Sequence, residues 1–145
     1  MTAKPVAIAS DHAGVALKSS LIEDLRERGL EVLDLGSQGA ESVDYPDYGH
    51  AVGEAVASGR AERGIAICGT GIGISIAANR LKGVRAAVCH DVTSTRLARE
   101  HNDANVLALG ARLIGPEVAR ECLEAFMTTA FSGGERHVRR VAKLG

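Results

Sequence analysis

Aromatic residues are scarce in this sequence, which has no tryptophan, two tyrosines and two phenylalanines among its 145 residues. Platforms that stack nucleic-acid bases rely on aromatic faces, as do flavin sites, so the composition disfavours both. Positive and negative charges nearly balance, with a formal net charge of −1. This balance gives no reason to expect nucleic acid or an anionic membrane as a partner.

The sequence also lacks long hydrophobic runs and regularly spaced cysteines or histidines. No apolar run approaches the about 20 residues that span a bilayer, and the N-terminus lacks the apolar segment of a signal peptide. The three cysteines show no disulfide spacing, and the five histidines show none of the spacings typical of metal ligands. We therefore expect a cytoplasmic protein with reduced thiols, no metal and no membrane association.

Strand-like and helix-like segments alternate along the chain without a break in composition, so residues 1–145 are predicted to form one domain. Apolar residues at helical spacing lie between the predicted strands, and the pair Gly133 and Gly134 introduces a basic last helix. This alternation favours an open parallel sheet with helices on both faces, which binds ligands at the carboxyl ends of its strands. The predicted strands are residues 6–10, 31–35, 64–68, 85–89 and 106–109.

The turn after the third predicted strand is the strongest local motif. Cys68 is followed by Gly69, Gly71 and Gly73, and an apolar helical pattern begins at Ile74. Such a turn collects backbone N–H groups at the positive end of a helix, where anions bind and a thiol is more readily deprotonated. The spacing is neither a Walker A loop nor a dinucleotide fingerprint. The motif predicts a reactive thiol beside an anion site; the alternative is a tight turn around a buried structural cysteine.

Chemistry-bearing residues follow the other predicted strands as well. Asp11 and His12 follow the first strand, Asp44 and Tyr45 follow the second, and Arg112 follows the fifth. Because the carboxyl ends of parallel strands share one edge, we expect these residues near Cys68. The alternatives are that Asp11 only caps a helix, that His12 is a solvated loop residue and that Asp44 belongs to a turn.

Two further groups are candidates for a binding site, and the first of them is predicted on the opposite edge. His101 and Asn102 fall in the loop before the fifth strand, so His101 would have to come from a neighbouring chain to join the site. Arg136 and Arg140 share one face of the last helix, and such a pair of guanidinium groups suits a phosphate dianion. The alternative for His101 and Asn102 is that they only form a turn. The alternative for the two arginines is that they lie on a solvated helix face.

Assembled in order, these segments resemble the type B ribose-5-phosphate isomerases, a family that also includes galactose-6-phosphate and allose-6-phosphate isomerases. The resemblance covers nearly the whole chain. It implies a Rossmann-like three-layer fold, no cofactor, and a homodimer with active sites shared across the interface, with association into a dimer of dimers left open. The residues that carry it are Ser10-Asp11-His12-Ala13-Gly14 with Lys18, Asp44-Tyr45-Pro46, the block from Cys68 to Asn79, and the block from His101 to Leu107.

The resemblance also implies roles in the aldose–ketose isomerisation of ribose 5-phosphate, a reaction of the non-oxidative pentose phosphate pathway. Cys68 would be the base, assisted by Thr70, and His101 of the partner subunit would open the furanose ring. Glycine amides would surround the enediolate oxygen, Asp11 would hold sugar hydroxyls, and the remaining residues would bind the substrate, chiefly its phosphate. The predicted substrate-binding set is Asp11, His12, Asp44, Tyr45, Gly69, Gly71, Gly73, Ser75, Asn102, Arg112, Arg136 and Arg140.

Two segments of the sequence differ among members of the family that this chain resembles. The segment Ile74-Ser75-Ile76 lacks the glutamate that replaces the cysteine in one branch of the family, and Glu135 is an extra residue between the glycine pair and Arg136. Isomerisation of another phosphorylated aldose, such as allose 6-phosphate, galactose 6-phosphate or a tetrose phosphate, is the nearest alternative. A non-catalytic phosphosugar-binding module is the alternative from a different class.

Overall fold

A computed structural model describes residues 3–145 as one α/β unit built on a parallel sheet of five strands. Met1 and Thr2, which the predicted domain also includes, lie outside the described residues. The strand order is β2-β1-β3-β5-β4, and every neighbouring pair is parallel. The predicted fold class is therefore confirmed. The strands are β1 (Val6–Ser10), β2 (Val32–Asp34), β3 (Gly64–Cys68), β4 (Ala86–Val88) and β5 (Val106–Gly110).

Helices connect successive strands and cover both faces of the sheet. A short 3₁₀ helix at His12–Gly14, which the sequence did not predict, precedes the first α-helix. On one face α1 and α5 pack over sheet residues such as Ile8 and Leu107, and α4 packs beside α5. On the other face α2 and α3 pack over residues such as Ala66 and Val106. The helices are α1 (Val15–Glu27), α2 (Tyr45–Ala57), α3 (Ile72–Ala78), α4 (Val92–Asn102), α5 (Pro116–Thr128) and α6 (Glu135–Ala142).

The three central strands are buried along their whole length, whereas both edge strands are only partly covered. Strands buried on both faces must be apolar at consecutive positions, which is why β1, β3 and β5 were predicted almost to the residue. The edge strands are shorter than predicted, since residues at positions 31, 35, 85 and 89 lie outside the ladder.

Helix boundaries differ from the prediction at two functional positions. The third helix begins at Ile72 rather than Ile74, so Gly73 lies in its first turn. The fourth helix continues to Asn102, so His101 and Asn102 are helical residues and not part of a loop. A left-handed Asp103 ends this helix, and its N–H donates to carbonyls of the last turn. No helix among residues 3–145 is both long and apolar enough to cross a membrane.

The basic helix α6 stands apart from the core. It begins just after the glycine pair, as predicted, and none of its described residues is buried. It packs beside α4, and the Ser132 N–H in the preceding segment donates to the Glu100 carbonyl at 3.1 Å. These contacts place its arginines next to the end of α4, where His101 lies.

Candidate active site

The carboxyl ends of β1, β3 and β5 are joined directly to one another. The Asp11 N–H donates to the Ile67 carbonyl at 3.0 Å, and the Ala111 N–H donates to the Cys68 carbonyl at 2.9 Å. The Arg112 N–H donates to the Gly69 carbonyl at 3.0 Å. Asp11, Cys68 and Arg112 therefore lie on one edge of the sheet, as their positions after the strands predicted.

Cys68 is nearly buried at the end of β3, with 4% of its surface exposed. Its Sγ accepts a hydrogen bond of 3.1 Å from the N–H of Gly71, the residue at the start of α3. This donor and the positive end of the helix both stabilise negative charge on sulfur. The sulfur therefore lies against the start of α3, and its donor is one of the amides that the resemblance assigned to the enediolate oxygen.

Gly71 can hold this position only because it has no side chain. Its φ is +77°, and a Cβ there would lie 2.8 Å from the Leu109 carbonyl carbon on β5. Both the left-handed backbone and the close approach of a neighbouring strand exclude other residues. The hydrogen bond to Cys68 thus depends on glycine at this position.

Two hydroxyl groups near the turn have partners within α3. Thr70 is exposed, and its Oγ1 accepts a hydrogen bond of 3.2 Å from the Ile72 N–H, which caps the helix. Ser75 is buried, and its hydroxyl donates to the Ile72 carbonyl at 2.7 Å. Thr70 therefore faces outward beside the thiol. The hydroxyl proton of Ser75 is used within the helix, so Ser75 can only accept further hydrogen bonds.

Asp11 and His12 are fixed by backbone donors. Oδ1 of the buried Asp11 accepts from the Ala13 N–H at 2.9 Å, so the capping interpretation holds for this oxygen. Nδ1 of His12 accepts from the Val43 N–H at 3.1 Å. A neutral imidazole that accepts at Nδ1 carries its proton on Nε2, so His12 presents an N–H donor at its other nitrogen.

Tyr45 leans over the glycine turn from the start of α2. Its ring lies so close to Gly73 that a Cβ on Gly73 would be 2.5 Å from the ring atom Cε1. The phenol remains 43% exposed. Asp44 precedes it at the N-cap position of α2, but its side chain makes no capping hydrogen bond, so the carboxylate is not used by the helix. Tyr45 therefore borders the turn that holds Cys68, and Asp44 precedes it in the chain.

Arg112 supplies a cation at the same turn. A Cβ on Gly69 would lie 3.4 Å from both Cδ and Nη1 of Arg112, so the guanidinium group lies along the Gly69 backbone. Arg112 is exposed. A guanidinium group beside the amides at the start of a helix can bind an anion.

His90 is a supporting residue to which the sequence assigned no role. Its Nε2 accepts a hydrogen bond of 2.9 Å from the Gly110 N–H. Gly110 in turn lies against Thr70, because a Cβ on Gly110 would be 2.7 Å from the Thr70 carbonyl carbon and oxygen. His90 thereby helps to fix the backbone beside the thiol. Its position directly after the predicted fourth strand, residues 85–89, was the only sequence signal for this contact.

His101, Asn102, Arg136 and Arg140 do not join Cys68 within one chain. Since α4 runs back across the sheet, its last residues reach the amino edge, where Nε of Arg85 donates to the Asn102 carbonyl at 3.2 Å. The length of β3 alone separates the two edges by about 13 Å. The predicted placement of His101 on the opposite edge is confirmed.

At that second edge, His101 stacks on His137, with ring centroids 4.5 Å apart and an angle of 7° between the planes. A cleft of about 640 Å³ opens beside them, and its lining includes Arg136 and Arg139. Partial loss of hydration, and then the positive charges of His101, Arg136 and Arg140, lower the pKa of His137 below its ordinary value. Positive groups therefore dominate the surroundings of the His137 ring, and the carboxylates of Glu100 and Glu135 also line the cleft. His137 was absent from the predicted site.

Known sugar isomerases resemble this chain over nearly its whole length. A model of the ribose/galactose isomerase family matches residues 6–144. Ribose-5-phosphate isomerase B of Escherichia coli is 48% identical, with 97% of this chain and 94% of that protein covered. D-Erythrulose-4-phosphate isomerase of Pectobacterium atrosepticum is 43% identical, with 97% and 92% covered. The solved structure of ribose-5-phosphate isomerase B from Clostridium thermocellum has a TM-score of 0.95 at 52% identity, with 97% of this chain and 95% of that chain covered.

Proposed function

Because the chain belongs to the ribose/galactose isomerase family, we propose that it interconverts ribose 5-phosphate and ribulose 5-phosphate through an enediolate, with the Cys68 thiolate as base. Membership of the family makes the chain a sugar phosphate isomerase; the substrate and the base are the proposal. The observation that carries it is the hydrogen bond from the Gly71 N–H to Cys68 Sγ at the start of α3. The reaction would place the enzyme in the cytoplasm, in the non-oxidative branch of the pentose phosphate pathway.

The thiolate carries the chemical step. Its sulfur takes the proton from C2 of the open-chain aldose, the electron pair of that C–H bond forms the C1–C2 double bond, and the carbonyl electrons move to the oxygen on C1. The same proton returns from sulfur to C1 to give the ketose, while the exposed Thr70 hydroxyl assists proton exchange between the two oxygens. The N–H of Gly73, in the first turn of α3, has no acceptor in the helix and faces the developing negative charge.

The substrate-binding groups fall into two sets on this proposal. Asp11, Asp44 and Tyr45 hold sugar hydroxyls, with Ser75 and Asn102 of the partner subunit as further polar contacts. His12, through Nε2–H, and Arg112 hold the phosphate from the same subunit as Cys68. Arg136 and Arg140 of the partner subunit close around the phosphate from the other side. A phosphate held by guanidinium groups positions the sugar without taking part in the chemistry.

A homodimer would bring the two edges together. One chain holds the thiol at the carboxyl edge and the histidine and arginines at the amino edge, so a complete site requires a second copy. Apolar residues on α3 and β4 beside the thiol turn are exposed, namely Ile72 at 53%, Ile76 at 52% and Val88 at 36%. An exposed apolar group of this kind marks an interaction surface. We infer that it forms the centre of the subunit interface and that His101 of the partner subunit opens the furanose ring.

The nearest alternative is isomerisation of a different phosphorylated aldose, which the identity of 43% to D-erythrulose-4-phosphate isomerase supports. The substrate is tested by comparing kcat/KM for ribose 5-phosphate, allose 6-phosphate, galactose 6-phosphate and erythrose 4-phosphate. We expect the largest value for ribose 5-phosphate. A larger value for a hexose or tetrose phosphate would replace the proposed substrate, and binding without turnover of any of them would support a non-catalytic phosphosugar-binding module.

A further inference from the structure

Lys18 is a charged side chain buried inside the fold, with 1% of its surface exposed. It projects from α1, whose other buried residues are apolar, towards the end of β2. Its Nζ lies 2.6 Å from Oδ1 of Asp34, the last residue of that strand. A lysine is almost never buried without an anionic partner, so the carboxylate of Asp34 is what permits Lys18 there.

Besides pairing with Lys18, Asp34 accepts hydrogen bonds from the segment that follows it in the chain. Its Oδ1 accepts from the Gly36 N–H at 3.0 Å, and its Oδ2 accepts from Nε2 of Gln38 at 3.1 Å. Partial burial would by itself raise the pKa of Asp34, but the hydrogen bonds from Lys18, Gln38 and the Gly36 N–H together lower it below its ordinary value. The Asp34 carboxylate is thus charged, and both of its oxygens accept hydrogen bonds at the start of the loop of residues 35–44.

This loop is bonded to the catalytic edge at both of its ends. At its start, the Ser10 N–H donates to the Gly36 carbonyl and the Ser37 N–H donates to the Ser10 carbonyl, both at 2.8 Å. Ser10 directly precedes Asp11. Near its end, the Val43 N–H donates to Nδ1 of His12. The loop therefore touches the backbone before Asp11 and the ring of His12, and it leads into Asp44 and Tyr45.

We propose that Lys18 and Asp34 are positioning residues, whose ion pair fixes the 35–44 loop and through it sets the ring of His12 for the phosphate of the substrate. Neither residue touches the substrate. The inference rests on the proposed function, because His12 is assigned to the phosphate there. A pair that served stability alone would leave the geometry of His12 unchanged in any variant that still folds.

The first test is a steady-state comparison of Asp34→Asn with a control on α1, the helix that carries Lys18. Asp24→Asn removes the ion pair of Asp24 with Arg28 (3.1 Å), which lies on α1 away from the catalytic edge. Because lost ground-state binding raises KM more than it lowers kcat, we expect Asp34→Asn to raise KM for ribose 5-phosphate about tenfold. We expect Asp24→Asn to leave KM unchanged. An unchanged KM in folded Asp34→Asn would overturn the proposal.

The second test asks whether the effect passes through His12. In a His12→Ala background the increase in KM from Asp34→Asn should vanish, because the ring that the loop positions is gone. In an Arg112→Ala background, where the lost contact lies on another loop, the two increases should multiply. Equal increases in both backgrounds would show that the pair does not act through His12. If Asp34→Asn does not fold, Lys18→Met/Asp34→Asn removes both charges and is measured in its place.

The third test does not depend on activity. Nitrogen NMR of the histidine rings, assigned with His12→Ala, should show His12 as a single neutral tautomer protonated on Nε2. In Asp34→Asn both tautomers should be populated, since the Val43 N–H no longer lies at Nδ1. An unchanged His12 spectrum would overturn the positioning role. A wild-type protein with these spectra but no isomerase activity would contradict the proposed function and leave the positioning role standing.

Discussion

Gly71 and Cys68 are linked by a hydrogen bond of 3.1 Å from the backbone N–H to the thiol sulfur. The bond closes the turn between β3 and α3, so the same glycine that lets the chain reverse also faces the sulfur. The hydrogen bond to the sulfur and the backbone geometry of the turn are therefore coupled at this position, and both can be tested by substitution.

Replacing Cys68 by serine should remove isomerase activity and retain phosphosugar binding. A serine hydroxyl keeps the shape of the turn but is a far weaker base, and loss of a general base typically costs about 10²–10⁴ in rate. The rate is measured with ribose 5-phosphate, and binding is measured by calorimetry. Cys122→Ala, which shortens a buried cysteine on α5, is the control and should stay active. Full turnover by Cys68→Ser would refute the thiolate base.

Replacing Gly71 by alanine should reduce both stability and activity. A left-handed φ costs a residue with a Cβ about 1–2 kcal/mol, and the Cβ would also meet the Leu109 carbonyl group at 2.8 Å. Gly83 is the matched control, because its φ is +89° and a Cβ there would meet nothing within 4 Å. We expect urea denaturation to show a larger loss for Gly71→Ala than for Gly83→Ala. Equal losses with retained activity would show that the close approach to β5 is unimportant.

Replacing His101 by alanine should slow the cyclic substrate much more than a substrate that is already open. Ribose 5-phosphate must open its furanose ring, which needs a proton donor and acceptor, whereas erythrose 4-phosphate has no such ring to open. The loss in kcat/KM is compared for the two substrates, with His50→Ala on the exposed face of α2 as the control. An equal loss for both substrates would remove the ring-opening role.

Phosphate binding should raise the pKa of His137. In the free protein, partial loss of hydration and the neighbouring positive charges lower this pKa, so the neutral ring is favoured. A phosphate dianion in the cleft favours the protonated ring, so the pKa must move upward when the ligand binds. The titration is followed by NMR with and without ribose 5-phosphate in the Cys68→Ser protein, so that the ligand is not consumed. A pKa that stays constant or falls would place the phosphate elsewhere.

The sequence alone determined the central elements of the fold and the nature of the turn. The strands β1, β3 and β5 are buried on both faces, so their apolar runs needed no knowledge of their neighbours. The glycines after Cys68 predicted a strand-to-helix turn, because alternate glycines are a local signal of chain reversal. The position of His101 before the fifth strand also predicted that it lies on the opposite edge from the thiol.

Which of these residues are in contact depends on the tertiary structure. The placement of β5 beside β3 brings Arg112 to Gly69 and Gly110 to Thr70, and neither contact is visible in local spacing. The hydrogen bond between Val43 and His12 joins residues 31 positions apart, and the stacking of His101 on His137 depends on how α6 packs beside α4. The spacing of apolar residues predicts the burial of each helix or strand separately. These contacts follow instead from strand order and helix packing, which depend on the whole chain.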